Sequence, residues 1–366
     1  MITVGILFGG RSGEHEVSRC SAASVFKYLD RAKYDVLVIG IDYDGRWYVQ
    51  ENPEIIHDNS FGSVLRLDKK EECFITHYER DGRLYLRNVE TAKEFHADVI
   101  FPVVHGTFCE DGTLQGLLDL AMVPYVGAGV TGSAIGMDKD VAKRLLRDAS
   151  IPVVPWLKVS KIDWIEDSAG IMRDVIYKIG MPCFVKPANA GSSVGITKVK
   201  IESDLESAVN EAFLWDNKIL IEKGVHAREI EIAILGNEKP IASIPGEILP
   251  NHEFYSYEAK YIDADGAELV IPARIDEEAT EKMQKIAIEA YNVLDCSGMA
   301  RVDFFLARDT GEMFLNEINT LPGFTSISMY PKLWEKTGIG YVELLDRLIA
   351  LALERGGSRR NLKREF

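Results

Sequence analysis

The chain has 366 residues, 46% hydrophobic and 27% charged, with 42 Lys plus Arg against 57 Asp plus Glu. Its length exceeds one average domain and favours two or three lobes with separate cores. The net charge of −15 disfavours a nucleic-acid partner, and no apolar run approaches the roughly 18 residues that cross a bilayer, which argues against a membrane role.

The opening MITVGILFGGRSGEHEVS reads as a buried strand running into a glycine turn. It has neither the basic leader nor the small-residue cleavage site of a signal peptide, so a cytoplasmic location is expected. Apolar runs at Val4 to Phe8, Val36 to Ile41 and Val99 to Val104 alternate with helical patterns such as Val17 to Leu29, which predicts an open α/β sheet. Residues 50 to 97 are richer in charge and less regular, and are expected to form an excursion with a hairpin outside the core. A helix opens at Met137-Asp138-Lys139, with Asp138 as its N-cap, and stops at Ile151-Pro152. Strand, glycine loop and strand over Cys183 to Val199, then a strand pair over Lys218 to Leu235, predict an α+β lobe. The boundaries drawn from these patterns are 1–138, 139–235 and 236–366. The last lobe ends in an amphipathic stretch, Tyr341 to Leu353, and a polar, basic tail from Gly356 to Phe366 expected to fray. Cys20, Cys73, Cys109, Cys183 and Cys296 are far apart without a C-x-x-C pair, so they read as reduced structural residues.

The segment Ala300-Arg301-Val302-Asp303-Phe304-Phe305 is followed, after a turn-like Arg308 to Gly311, by Met313-Phe314-Leu315-Asn316-Glu317-Ile318-Asn319. Period-two geometry puts Arg301 and Asp303 on one face, and Glu317 and Asn319 likewise. A hairpin centred on Thr310 sets Asp303 opposite Glu317 and Arg301 opposite Asn319. Opposed carboxylates destabilise a bare sheet, and a hard cation held through oxygen relieves them; a Mg²⁺ site is expected, and a plain acidic solvent face is the alternative.

Pro187 to Gly195, PANAGSSVG, offers small residues whose backbone N–H groups can approach phosphate, but it is neither a Walker loop nor a dinucleotide fingerprint. An ordinary hairpin loop fits the pattern equally. Lys139 and Lys186 flank it as candidate phosphate contacts or as surface lysines. Glu16 follows the first strand where α/β folds bind ligands, and suits either a ligand ammonium or the helix dipole.

Taken together, GGRSGEHEVS, HGTFCEDGTLQG, MDK, VKPANAGSSVG, YEAKY, ARVDFF and NEINTLPGFTS make the chain resemble the D-alanine–D-alanine ligases over nearly its whole length. The resemblance implies a three-lobed ATP-grasp fold: an N-terminal open parallel α/β sheet that binds substrate, and two α+β lobes that sandwich ATP. In that family picture Lys139, Lys186, Ser192 and Ser193 contact phosphates, Glu222, Lys223 and Val225 hold adenine, and Glu229 takes the ribose. Asp303, Glu317 and Asn319 become ligands of two Mg²⁺ or Mn²⁺ ions, with Glu317 bridging. Glu16 and His105 bind the first D-alanine. Without the family, His105 reads as a hydrogen-bonded core residue.

The same resemblance implies that Glu16, Ser192 and Tyr261 hydrogen-bond together as the loop Tyr255 to Tyr261 closes. Arg301 and the Gly323 N–H serve the oxyanion and Arg301 also contacts substrate, while Lys260 and Ser328 take the second substrate's carboxylate. A homodimer through the N-terminal lobe is implied as well. Ser256 and Ala188-Asn189-Ala190 depart from common family variants. The alternatives are a ligase adding D-serine or D-lactate, against which the retained Tyr261 argues, and a non-catalytic nucleotide-binding regulator, which would not keep Arg301, Asp303, Glu317 and Asn319 together. An NAD oxidoreductase would leave the acidic hairpin unexplained.

Overall fold

The computed structural model describes residues 1–76, 82–250, 267–325 and 327–363. Its first sheet begins with β1 (Ile2–Gly9) and β2 (Tyr34–Ile41), followed by β3 (Trp47–Gln50), the hairpin β4 (Ile55–Asp58) and β5 (Gly62–Leu65), and then β6 (Glu72–Thr76), β7 (Leu84–Asn88), β8 (Glu94–Ala97) and β9 (Val99–Pro102). The seven-stranded order is β8-β7-β6-β3-β2-β1-β9, with β2-β1-β9 parallel and the added strands antiparallel. The run Val4 to Phe8 is buried on both faces, as expected for a parallel strand covered by helices. Those covers are the helix His15–Tyr28 and the C-terminal helix Tyr341–Arg360, whose Leu344, Leu348 and Ile349 join the same core as Val4 and Phe101.

The segment 50 to 97 was expected to lie outside the core. A separate hairpin is indeed present in β4 and β5, but Leu65, Cys73, Leu84, Leu86 and Ala97 are core residues. Short alternating strands among the charges were enough to widen the sheet, because each needs to bury only one face.

The second sheet contains β10 (Trp156–Ser160), β11 (Cys183–Pro187), β12 (Thr197–Val199) and β13 (Lys218–Lys223), ordered β10-β13-β11-β12. Packed on it are the helices Lys161–Lys178 and Leu205–Ala212. The third sheet holds β14 (Ala227–Gly236), β15 (Ile241–Ala242), β16 (Gly246–Pro250), β17 (Ala267–Val270), β18 (Gly298–Ala307) and β19 (Met313–Asn319). Its order is β17-β16-β14-β18-β19, with β15 alongside β14.

One sequence boundary shifts as a result. The strands expected to pair over Lys218 to Leu235 lie in different sheets: β13 pairs β10 and β11, while β14 runs its full length against β18. The sheets therefore divide near His226 rather than at 235. The helix Lys139–Asp148, capped by the Asp138 carboxylate accepting from the Val141 N–H at 3.1 Å, packs Ala142 and Leu146 into the core under the third sheet.

The basic tail is also ordered further than expected. Helix Tyr341–Arg360 continues into it as far as Arg360, anchored where Arg355 donates to the Tyr125 carbonyl at 2.9 Å and also to Gly127 O and Ser297 Oγ. Arg359 pairs with Asp119. All five cysteines are free, and no helix among the described residues is long and apolar enough to cross a membrane.

Candidate active site

A cleft of about 540 Å³ opens between the second and third sheets. The glycine loop, the end of β13, and the strands β14 and β19 line it, so Lys139, Lys186, Ser192, Ser193, Glu222, Lys223, Val225, Glu229, Glu317 and Asn319 share one cavity. All eight residues expected to contact the nucleotide are thus brought together. Lysines and glutamates alternate around this lining, with Lys139 3.8 Å from Glu317 and Lys186 2.5 Å from Glu222.

The loop after β11 holds an unusual backbone. Ser192 and Ser193 sit at φ of 48° and 61°, left-handed values that L side chains rarely adopt and that are retained where surroundings enforce them. The enforcing contacts are visible. Lys139 Nζ donates to Ala190 O at 2.7 Å, the backbone N–H and side-chain amide of Asn189 donate to Asp216 at 2.9 and 3.0 Å, and Ser192 Oγ donates to Glu14 Oε1.

That last bond corrects the expectation for Glu16. Successive helical residues turn by about 100°, so positions two apart face nearly opposite ways. Glu14, at the start of helix His15–Tyr28, is 6% exposed and faces the loop. Glu16 faces outward, paired with Arg19 at 2.5 Å and accepting from Tyr43 at 3.3 Å. A side chain on Gly106 or Gly191 would press on Glu14 Oε2, at 2.7 and 2.9 Å, and Gly106, at φ 79°, also holds a backbone conformation that favours glycine. Glu110 lines the same corner and accepts from the Gly106 N–H at 2.7 Å. Burial and the Glu14 charge push its carboxyl well above the usual range.

The acidic hairpin has the expected register, Arg301 opposite Asn319 and Asp303 opposite Glu317. Beyond Asp303 a bulge sets Phe304 against Leu315, leaving Asn316 as the extra residue. Arg301 forks onto Asp303 with two bonds of 2.7 Å and lies 3.0 Å from Glu231 Oε2 on β14. Asn319 donates to Asp303 at 2.9 Å. Among the described residues no three His, Cys, Asp or Glu cluster as a metal set; the group here is two carboxylates and an amide. The Oδ1 of Asn316, on the same cleft wall, is buried without a hydrogen-bond partner. Such all-oxygen donors fit a hard divalent cation.

Behind the hairpin, the loop after β19 is clamped from the first lobe. His105 Nδ1 donates to Leu321 O at 3.1 Å, its Nε2 faces Ser21 Oγ at 3.4 Å, and that hydroxyl accepts from the Phe324 N–H at 3.2 Å. This leaves His105 buried and neutral, with burial lowering its pKa from 6.5 to about 4. Its ring positions the loop bearing Gly323. Ser328 Oγ would lie 2.8 Å from a side chain on Gly323, and it accepts from the Thr325 N–H at 3.0 Å. Lys260, Tyr261 and the rest of YEAKY, with Ser256, lie outside the described residues.

The depressed pKa has a stability consequence. Between about 4 and 6.5 the unfolded chain takes up a proton that the folded chain refuses, so the contribution is complete above 6.5 and is lost as pH falls towards 4. Urea unfolding across this interval should lose up to about 3 kcal/mol through this group. His105→Asn should flatten that part of the pH dependence; an unchanged slope would show that His105 titrates normally.

The family described as D-ala D-ala ligase N-terminus matches residues 3–128, and D-ala D-ala ligase C-terminus matches residues 145–350. The chain belongs to the D-alanine–D-alanine ligase family. It is 48% identical over 367 aligned positions to D-alanine–D-alanine ligase A of Bradyrhizobium diazoefficiens, covering 100% of this chain and 98% of the relative. Among solved structures, the D-alanine–D-alanine ligase of Coxiella burnetii superposes with a TM-score of 0.81 at 36% identity, over 98% and 97% of the two chains. The VanG D-Ala:D-Ser ligase of Enterococcus faecalis gives 0.81 at 33%, over 96% and 99%. The ligase fold expected from the motifs is therefore present, and the fold by itself does not choose between second substrates.

Proposed function

We infer that the chain joins two D-alanine molecules into D-alanyl-D-alanine at the expense of ATP, for peptidoglycan precursor synthesis. The observation that carries this reading is the end-to-end 48% identity to a D-alanine–D-alanine ligase. ATP occupies the cleft, with adenine against Glu222 to Val225, the ribose at Glu229, and phosphates at Lys139, Lys186 and the loop bearing Ser192 and Ser193. Asp303, Glu317 and Asn319 hold Mg²⁺ or Mn²⁺, two ions in the family arrangement, and the bound cations supply neutralisation of polyphosphate charge.

The carboxylate of the first D-alanine attacks the γ-phosphorus, ADP leaves, and an acylphosphate forms. The amine of the second D-alanine adds to that carbonyl, and phosphate departs with one of the original carboxylate oxygens. Glu14, in place of Glu16, receives the first substrate's ammonium while accepting from Ser192. Arg301 and the Gly323 N–H donate to the tetrahedral oxyanion, on a loop held by His105. Ser328, with Lys260, receives the second carboxylate, and closure under Tyr261 keeps water from the acylphosphate. A pair of chains joined through the N-terminal lobe completes the reading.

The likeness to a D-Ala:D-Ser ligase favours one competing reading, a different second substrate. Phosphate release should be measured with ATP, Mg²⁺ and D-alanine alone, then with D-serine or D-lactate added, weighing each product. Turnover with D-alanine alone, yielding the dipeptide, is expected; turnover confined to the mixed pairs would replace D-alanine in the second subsite.

A further inference from the structure

Helix Lys139–Asp148 carries a second buried lysine one turn beyond Lys139. Residues four apart share a helical face, yet the two ammoniums serve different ends of the cleft. Lys139 reaches the phosphate loop through Ala190 O, whereas Lys143, 1% exposed, ends behind the cleft wall with its Nζ 3.1 Å from Glu222 Oε1. On the other side, Glu222 Oε2 lies 2.5 Å from Lys186 Nζ. The Trp156 ring, 5.8 Å from Lys143 Nζ, closes the back of this group.

Glu222 is 2% and Lys186 7% exposed, so all three charges are withdrawn from water. Two ammoniums therefore share one carboxylate, with Glu317 the next acid acting on Lys143, in a place where an uncompensated charge is costly. Burial alone would raise the Glu222 pKa, but Lys143 and Lys186 outweigh it and hold the carboxyl below its usual range, while burial lowers the Lys143 pKa against the pull of Glu222. Lys143 does not line the cavity, and its effect on a ligand must pass through Glu222 and Lys186.

We propose that Lys143 is a positioning residue of the nucleotide site: it takes half of the Glu222 carboxylate, so that Lys186 keeps an ammonium available to nucleotide phosphates. This rests on reading the cleft as the nucleotide site. Without Lys143, Glu222 and Lys186 form a closed one-to-one pair, and phosphate must compete with a carboxylate already in place. With it, the trio carries a standing demand for an anion.

The test compares wild type with Lys143→Met and Lys143→Arg, using ADP binding by calorimetry and the KM values for ATP and D-alanine. Lys143→Met should weaken ADP and raise the ATP KM by about 10- to 100-fold, with the D-alanine KM within about twofold and kcat within about threefold. Lys143→Arg should recover most of the loss. On a Glu222→Gln background, Lys143→Met should add little, and this double variant also serves if the single one does not fold. Wild-type ADP affinity in Lys143→Met, or a parallel fall in every parameter with thermal stability, would overturn the proposal while leaving the cleft reading intact. Failure of the wild-type protein to bind ADP would remove that reading, and the proposal with it.

Discussion

Replacing Arg301 by Met should lower kcat by about 10³, because in the proposed mechanism Arg301 is the charged donor to an oxyanion that exists only beyond the ground state. The same change leaves Glu231 and Asp303, which flank the guanidinium, as neighbouring carboxylates without their shared cation. A loss of several kcal/mol of stability is therefore expected, and Arg301→Lys separates the two effects. Lysine restores a positive charge between the carboxylates but not the planar fork, so folding should return while kcat stays about 10² below wild type. Because Arg301 does not line the nucleotide cleft, ADP affinity should be nearly unchanged in the lysine variant. A kcat for Arg301→Lys near that of wild type would remove Arg301 from the chemistry.

Glu14 and Glu16 should behave oppositely. Glu14→Gln keeps the shape that receives Ser192 Oγ but loses the charge proposed to receive the substrate ammonium. A rise in the D-alanine KM together with a fall in kcat, amounting to about 10² or more in kcat/KM, is expected. Glu16→Gln loses an outward charge that pairs with Arg19 and accepts from Tyr43, and a change within about threefold is expected. The comparison is made by steady-state kinetics on both variants. Equal losses, or a larger loss for Glu16→Gln, would return the role to Glu16.

The two glutamates also mark where the sequence was legible and where it was not. GGRSGEHEVS placed a ligand-facing acid at the opening of the first helix. No side chain caps that helix, so the sequence held no signal for which of two acids, nearly opposite on the helix, turns inward. The hairpin was clearer, because a two-residue period and one turn fix the register of Asp303 and Glu317. The bulge at Asn316 escaped notice, since an inserted residue alters pairing without altering composition.

Lys143 was invisible for a different reason. A lysine in an amphipathic helix reads as surface, and only the arrival of Glu222 from β13 makes its burial tolerable. The split between β13 and β14, and the order of the tail through Arg355, likewise depend on partners remote in sequence: β18 for one, and the Tyr125 and Gly127 carbonyls for the other.

On the proposed route the first D-alanine carboxylate is phosphorylated before the peptide bond forms. D-alanine labelled with ¹⁸O in its carboxylate, turned over with unlabelled ATP and Mg²⁺ and analysed by mass spectrometry of the released phosphate, tests it directly. One ¹⁸O atom transferred to each phosphate is the predicted result, because the attacking carboxylate oxygen leaves with phosphorus. Unlabelled phosphate formed alongside the dipeptide would contradict the acylphosphate route and the roles assigned to Arg301 and Gly323 with it.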